Sequence, residues 1–134
     1  EVFETDGPDA LTACLRYTNE SVVTEVRRRI SEWPDMTVRT QTIMDSTLRE
    51  NALLKINLAV TKKGDRLIFD FSGTSPELTN RAINTQLPGM KGMVGQAFMN
   101  HIWPDLPRGQ AGLSPVEFIT QEGTLVDCSY SAPN

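Results

Sequence analysis

The feature that most constrains the fold of this 134-residue chain is a change in hydrophobic spacing at Pro34. Before Pro34, apolar residues recur every three or four positions, as in an amphipathic helix. After it they alternate with polar residues, as in a half-buried strand. The residue before a proline is pushed out of the α region, so a helix is expected to end here. The chain should therefore begin as helix and continue as sheet.

Residues 1–35 are predicted to be helical, because no glycine interrupts the helical spacing between Pro8 and Trp33. Pro8 suits a first helical turn, where its missing N–H leaves no hydrogen bond unmade. The pattern predicts either two helices or one helix broken near Thr18 to Asn19.

A run of three arginines, Arg27 to Arg29, lies in the second half of this segment. Acidic residues flank it at Glu25 and Glu32, three or four positions away, where helix side chains meet. We therefore expect a solvated helix face with local ion pairs. A salt bridge to another subunit is the alternative, and anion binding is disfavoured by the acidic chain.

Residues 36–72 are predicted to form an antiparallel hairpin sheet. Apolar and polar residues alternate over 38–42, 54–60 and 67–71, and Gly64 can take positive φ in a tight turn between the last two strands. This is the only net basic part of the chain. Lysines beside exposed strand positions commonly guard a sheet edge against pairing, and we expect that role here.

Residues 73–88 are predicted to be loop and residues 89–103 a helix. The helix has a methionine and aromatic face that is expected to be core, and it includes His101, for which we expect a core or interface position. Its glycines at 89, 92 and 95 lack the strand and phosphate-binding context of a nucleotide motif, so they indicate close helix packing.

Residues 104–134 are predicted to be a connector with short strands, including one at 116–120 and a turn at 122–124. Together the segments predict one α+β domain or fragment, 1–134: N-terminal helices, an antiparallel sheet, then a helix and an extended C-terminal segment. A chain of this length supports one hydrophobic core.

Composition excludes several classes of function. The formal charge is −4, from 13 basic and 17 acidic residues, the wrong sign for binding a nucleic-acid backbone. No segment approaches the roughly 20 apolar residues that cross a membrane. Cys14 and Cys128 are far apart and accompanied by one histidine, so no metal site is expected. Two reduced, mostly buried thiols fit a cytoplasmic protein, although a single disulfide stays open.

The best candidate for substrate contact is the loop after the third strand, with Asp70, Ser72, Gly73 and Thr74. A carboxylate, hydroxyls and a flexible backbone can present N–H and O–H groups to an oxyanion or phosphate. The alternative is that these side chains cap the turn through local hydrogen bonds.

Two further residues complete the candidate set. Asn84 can recognise an amide or hold two loops together, and Arg108 can bind a phosphate or carboxylate or be merely solvated. One histidine and two distant cysteines form no nucleophile and base pair, so the catalytic residues are not assigned.

Four short motifs follow one another along the sequence. They are Arg-Leu-Ile-Phe-Asp-Phe-Ser-Gly-Thr-Ser-Pro at 66–76, Ala-Ile-Asn at 82–84, Asp-Leu-Pro-Arg at 105–108 and Gln-Glu-Gly-Thr-Leu-Val at 121–126. Taken together they resemble the hydantoinase B/oxoprolinase family, whose members carry a D-F-[ST]-G-[ST] motif, then an I-N pair, a P-R-N-x-G connector and a P-E-G-[ST] motif. The resemblance extends through nearly the whole chain.

This resemblance implies an internal segment of a B-type subunit in a hetero-oligomer. An A-type, hydantoinase A-like partner is expected to bind ATP and Mg²⁺, and a divalent metal is expected elsewhere in the parent subunit. The implied reaction is ATP-dependent hydrolysis of hydantoin or 5-oxoproline, with carboxylation of acetone or acetophenone as the alternative. A non-catalytic interaction module is a third possibility, and these residues alone are expected to be inactive.

Overall fold

The computed structural model describes residues 2–47 and 49–134. The helices and strands are, in order, α1 (Val2–Ser31), β1 (Met36–Ser46), β2 (Asn51–Lys63), β3 (Arg66–Asp70), α2 (Leu87–Ala97) and β4 (Val116–Ile119). A π-helical turn, Phe98–Ile102, continues α2, and a 3₁₀ turn, Gln110–Leu113, precedes β4. The predicted α+β class is confirmed.

Helix α1 is interrupted at Gly7 and not where the sequence pattern suggested. Gly7 has φ of 81° and ψ of 173°, a conformation open to a residue without Cβ, and Pro8 then begins the regular helix. The predicted break near Thr18 to Asn19 is wrong. The Thr18 hydroxyl donates to the Cys14 carbonyl oxygen 2.9 Å away, so this side chain joins the preceding helical turn.

The four strands form one sheet in the order β1-β2-β3-β4. β1 and β3 both pair antiparallel with β2, and Gly64 has φ of 61° in the turn between β2 and β3. The predicted hairpin and its positive-φ glycine are confirmed. β4 runs parallel to β3, so the sheet is mixed. A parallel pair needs a long crossover, which the chain containing α2 supplies.

The core lies between the helices and one face of the sheet. Its buried residues come from α1 (Val22, Val26, Ile30), from β3 and its end (Leu67, Phe69, Phe71), and from α2, its π-helical turn and the residue after it (Met90, Phe98, Trp103), with Val126. The Phe98 ring lies 5.7 Å from Phe69 and 4.8 Å from Trp103, both tilted. Aromatic pairs at this spacing add to the free energy of burial.

The apolar face predicted for α2 is therefore partly correct. Met93 is 57% exposed and His101 is also exposed, so a core position for His101 is wrong. His101 lies within the π-helical turn, where the 3.6-residue spacing behind the prediction no longer holds. The predicted close packing is confirmed at Gly95, where a Cβ would lie 2.9 Å from Leu113 Cδ1.

The arginine run forms the local ion pairs that the spacing predicts. Arg28 bonds both Glu25 and Glu32, and Arg29 Nε donates to Glu25 at 2.7 Å. Hydrogen bonds from Arg28 and Arg29, in that order, lower the pKa of Glu25 to about 2. The solvated helix face with local pairing is confirmed for these residues.

The same run also ties α1 to two distant segments. Arg29 donates to both carboxylate oxygens of Asp105, at 2.9 and 2.6 Å, and Arg27 donates to Asp65 in the β2–β3 turn at 2.6 Å. Hydrogen bonding from Arg29 lowers the pKa of Asp105 to about 2. These pairs link the helix end to the sheet and to the connector.

The lysines of the hairpin do not guard a sheet edge, so that expectation is wrong. Lys62 has β1 on one side and β3 on the other, and the backbone N–H and C=O of Lys55 bond Ser75, whereas the edge strand β1 has no lysine. Lys62 is buried, and its ammonium donates to Asp35 Oδ1 at 2.7 Å. Asp35 Oδ1 also accepts the Gly64 N–H, and these two bonds lower the pKa of Asp35.

The two cysteines differ in exposure, and neither forms a disulfide. Cys128 is buried, as expected, whereas Cys14 lies on an exposed face of α1, where burial was expected wrongly. Helical spacing alone does not say which face of α1 meets the core. Within the part of the chain that the structure describes, no helix has the length and apolar character needed to cross a membrane.

Candidate functional site

A polar cleft lies on the face of the sheet opposite the helices. Its volume is about 500 Å³, and it is lined by Arg39, Thr40 and Gln41 of β1, Asn57, Leu58 and Ala59 of β2, Asp70 of β3, and Ser72. Two of the residues predicted to contact substrate, Asp70 and Ser72, are among them. The polar cleft is therefore the candidate functional site.

Strand register brings the charged groups of the cleft into one row. Arg39 is the partner of Ala59, and Ala59 is the partner of Asp70. Paired residues on neighbouring strands point to the same face, so the guanidinium and the carboxylate flank the small Ala59 side chain. Gln41 and Asn57 form the next row. The cleft thus holds a cation, an anion and two amides.

Asp70 is held in its charged form at the end of β3. Its Oδ1 accepts the Ser72 N–H at 2.9 Å. Hydrogen bonding by the Ser72 side chain and then by its backbone N–H lowers the pKa of Asp70, and the positive charge of Arg39 lowers it further. Hydrogen bonds to a carboxylate favour its ionised state. Asp70 therefore presents acceptor oxygens to the cleft at neutral pH.

The loop after β3 is fixed by a close approach at Gly73. Gly73 has φ of 79°, and its carbonyl oxygen accepts from Asn57 Nδ2 at 2.9 Å. A Cβ at this position would lie 2.8 Å from the same Nδ2 atom. Any other residue would therefore be strained in its backbone and crowd a side chain that lines the cleft.

The hydroxyls that follow Gly73 bind the backbone of β2. Thr74, which is 6% exposed, donates from Oγ1 to the Phe71 carbonyl oxygen at 2.8 Å and accepts the Asn57 N–H at 3.2 Å. Ser75 Oγ accepts the Lys55 N–H at 2.9 Å. The buried Thr74 therefore fixes the loop through backbone hydrogen bonds, whereas Ser72 lines the cleft.

Asn84 is buried in a cluster of hydrogen bonds away from the cleft. Its Oδ1 accepts the Leu78 N–H at 2.8 Å, and its Nδ2 donates to the carbonyl oxygens of Leu78, Arg81 and Pro133 at 2.7, 3.2 and 2.6 Å. Both groups of the amide are thus bonded within the chain. Asn84 joins the loop before α2 to residues near the end of the described segment.

Arg108 is exposed and lines a different groove of about 440 Å³. That groove lies along α2 and includes Gly92, Gly95, Gln96, Met99, Gly109, Gln110 and Leu113. The structure therefore separates the six predicted residues into three places: the cleft and its loop, the hydrogen-bonded cluster around Asn84, and the Arg108 groove.

Sequence reasoning missed Arg39, Gln41 and Asn57 as members of the site. Each was noted only as a polar position in an alternating strand. The pattern showed that these side chains point away from the core, but not that Arg39 and Asp70 share a row across two strand pairings. Register between distant segments was the missing information.

An apolar groove lies on the opposite face of the sheet and also opens at β1. Its volume is about 510 Å³, and its lining includes Trp33, Met36, Val38, Phe98, His101 and Ile102. Met36 and Val38 are each 51% exposed. This face of β1 is thus apolar but uncovered by the described helices.

The described residues offer no metal centre. Within 2–47 and 49–134, no group of three or more His, Cys, Asp and Glu side chains comes together. His101 lies on the apolar groove and Asp70 on the opposite face. No metal step is therefore assigned to the described residues.

The family of the chain follows from a sequence profile. The profile described as hydantoinase B/oxoprolinase matches residues 1–134. The chain therefore belongs to the hydantoinase B/oxoprolinase family, as the D-F-S-G-T word and its companions indicated.

The individual relatives are longer than this chain. It is 32% identical over 78 residues to the acetophenone carboxylase delta subunit of Aromatoleum aromaticum, covering 58% of this chain and 11% of the relative. It is 25% identical over 143 residues to the putative D-/L-hydantoinase B subunit of a Pseudomonas species, covering 99% and 24%.

A solved structure shows the same fold. The crystal structure of the ATP-dependent caprolactamase from Pseudomonas jessenii matches with a TM-score of 0.78 at 19% identity, covering 99% of this chain and 23% of that one. The chain thus spans less than a quarter of the length of each of these three proteins.

Proposed function

We propose that this chain is part of a hydantoinase B-type subunit that acts with an ATP-binding, A-type partner in the hydrolysis of cyclic amides. One observation carries the proposal: the family profile covers residues 1–134. Two relatives that align with 99% of the chain support the substrate class, since one is named a hydantoinase subunit and the other a caprolactamase. Hydantoins and caprolactam are both cyclic amides, as is 5-oxoproline.

In this proposal the polar cleft binds the polar edge of the ring. The ionised Asp70 carboxylate accepts an amide N–H, and Arg39 donates to a carbonyl or phosphoryl oxygen through its planar guanidinium. The Asn57 amide and the Ser72 hydroxyl add further donors and acceptors. Fixing the reacting bond in one orientation reduces the entropic part of the barrier.

The other predicted residues act at a distance from the ring. Gly73 and Thr74 hold the loop that carries Ser72, so they are positioning residues. Asn84 holds the segment after this loop in place by hydrogen bonds to Leu78 and Pro133. Arg108 offers an anion contact in its own groove.

The cofactors of the proposed reaction bind elsewhere in the assembly. We place ATP and its Mg²⁺ on the A-type partner, and any divalent metal on parts of the parent subunit outside residues 1–134. The assembly is a hetero-oligomer in the cytoplasm, with no nucleic acid and no membrane as partner. The relatives' names support subunit character, because one is called a B subunit and another a delta subunit.

Ketone carboxylation is the second candidate function. It is supported by the 32% identity over 78 residues to an acetophenone carboxylase subunit, a higher identity over a shorter segment than that to the hydantoinase subunit. The Arg39 guanidinium suits an enolate or its phosphate as well as a lactam carbonyl, because each presents an oxygen atom with full or partial negative charge.

A non-catalytic module is the third candidate. It is supported by the internal bonding of Thr74 and Asn84, whose polar groups bind the chain itself. Under this alternative, residues 1–134 contribute surface to a larger subunit.

The test uses the full-length subunit assembled with its A-type partner. We expect ATP-dependent ring opening of hydantoin or 5-oxoproline, measured by product formation and ADP release. Asp70→Asn should lower kcat/KM at least about tenfold, since a hydrogen bond to a charged group contributes about 1.5–3 kcal/mol. The melting temperature and the assembly state should not change.

Asp45→Asn is the matched control, because Asp45 is an exposed carboxylate on β1 that does not line the cleft. Unchanged kcat/KM in Asp70→Asn would sink the role of the cleft. Carboxylation of acetophenone without ring opening would favour the second candidate. Residues 1–134 alone should turn over neither ATP nor a lactam or ketone.

A further inference from the structure

The outer edge of β1 is long and unpaired among the described residues. β1 has 11 residues and stands at the end of the strand order, with β2 on its inner side. Residues 36–43 are all exposed. A strand at the edge of a sheet offers a row of backbone N–H and C=O groups to any strand that approaches.

The usual protections of such an edge are missing from residues 36–44. The segment contains no proline and no lysine, and its only charge is Arg39. Pairing with β2 is regular throughout it, and the register shifts only between Met44 and Ser46. Three large apolar side chains on it are half exposed: Met36 and Val38 at 51% and Ile43 at 55%.

We propose that this edge pairs with the β1 edge of a second copy of the chain, antiparallel and centred on Thr40. The segment is self-complementary about that residue. Reading outward, the pairs between copies are Thr40 with Thr40, Arg39 with Gln41, Val38 with Thr42, Thr37 with Ile43, and Met36 with Met44. The two sheets then form one continuous sheet of eight strands.

This register satisfies both charge and apolar contact. It opposes Arg39 to a neutral amide, whereas like charges directly opposite each other destabilise a strand pair. It pairs Met36 with Met44, and it places Val38 and Ile43 against β-branched threonines, which favour sheets. It also uses the whole regular stretch and ends where the register shift begins.

The polar cleft and the apolar groove both open at this edge, so the second copy completes them. Arg39 and Gln41 line the polar cleft, and the pairing brings Gln41 of the second copy beside Arg39. Met36 and Val38 line the apolar groove, and Met44 of the second copy then covers its open side. The polar cleft becomes a site with walls from two chains.

The pairing does not rest on the proposed enzymatic function, and its test measures the mass and the folding of the chain without any assay of activity. Light scattering coupled to size-exclusion chromatography of the 134-residue chain should give a dimer that dissociates on dilution. Thr40→Lys and Thr40→Glu should each be monomeric, because like charges then meet on the two-fold axis. An equimolar mixture of the two variants should recover the dimer mass.

Thr24→Lys and Thr24→Glu are the matched controls, since Thr24 is an exposed threonine on α1, and both should remain dimeric. Circular dichroism of the Thr40 variants should match the wild type, because Thr40 is exposed in the single chain. A wild-type chain that stays monomeric at every concentration overturns the proposal and leaves the edge to a strand of another protein. Dimers that persist in both Thr40 variants, or variants that fail to recover a dimer on mixing, overturn it too.

Discussion

The two halves of the sheet share one alternating pattern but differ in what covers them. In β3, Leu67 and Phe69 are buried against the helices, and Phe69 lies within 6 Å of two other rings. In β1, Met36 and Val38 have the same alternation and the same face, yet each is half exposed. Alternation therefore marks a strand without saying whether a helix will lie on it.

The covered half of the sheet is expected to provide stability, and the uncovered half is expected to provide binding surfaces. The half formed by β3, β4 and the helices contains the buried aromatic residues and the ion pairs of α1, so it is expected to supply most of the free energy of folding. In the other half, β1 lines the polar cleft on one face and the apolar groove on the other. Open surface of both kinds is where binding is expected.

The largest expected effect is a contrast between two isoleucines, one in each half. Ile30 on α1 is fully buried and Ile43 on β1 is 55% exposed. Ile30→Ala should lower the free energy of unfolding by about 2–5 kcal/mol, because it removes buried methyl groups and leaves a cavity. Ile43→Ala should change it by less than about 0.5 kcal/mol. Urea denaturation at a concentration where the chain is monomeric measures both.

The contrast between the two halves is contradicted if Ile30→Ala and Ile43→Ala change the free energy of unfolding by similar amounts. A large loss of stability in Ile43→Ala would mean that β1 is covered even in the single chain. A small loss in Ile30→Ala would mean that α1 packs only loosely on the sheet. Ile30→Val serves as an internal scale, with an expected loss of about 0.5–1.5 kcal/mol.

The second contrast concerns two turn glycines, one of which supports the polar cleft. Gly64 and Gly73 have φ of 61° and 79°, but only Gly73 would bring a Cβ within 4 Å of another side chain, that of Asn57. Gly64→Ala should cost about 1 kcal/mol of stability through backbone strain alone. Gly73→Ala should cost about 1–3 kcal/mol and displace Asn57 from the cleft.

Thermal unfolding gives the two stabilities, and the side-chain amide resonances of Asn57 report its displacement by NMR. Equal losses in both variants, with the Asn57 resonances unmoved, would show that the cleft does not depend on this contact. Asn57→Ala made together with Gly73→Ala should recover the part of the loss that comes from crowding.

Much of the fold could be predicted because its determinants are local. The alternation over 54–60 and 67–71 and the turn at Gly64 need only neighbouring residues, and all three occur as expected. The break in α1 was misplaced because Gly7 lies before the glycine-free stretch that guided the prediction. The parallel pairing of β4 depends on a crossover that no short pattern encodes.

The candidate site was predicted in part for the same reason. Asp70 and Ser72 follow one strand in a recognisable word, so sequence could place them together at its end. Arg39 joins them only through two successive strand pairings. Asn84 has a polar amide that suits recognition equally well, and only its four internal hydrogen bonds show that it holds the loop together.

The smallest expected effect is a pH dependence in the covered half. Arg29 lowers the pKa of Asp105 to about 2 in the folded chain, against an ordinary value of 3.8. A carboxylate whose pKa is depressed by folding stabilises the native state above its unfolded pKa, and this contribution is lost as the pH falls through the folded value. Stability should therefore drop as the pH falls from 3.8 toward 2. Both groups of this pair lie at the surface, so the drop should shrink in high salt.

Asp105→Asn isolates this contribution, because it keeps the size of the side chain and removes its charge. Glu25 has a pKa of about 2 through Arg28 and Arg29, so some acid sensitivity should survive in the variant. Melting temperatures recorded between pH 7 and pH 2 should fall less steeply below pH 4 in Asp105→Asn than in the wild type. An identical slope would mean that the bond between α1 and the connector contributes nothing to folding.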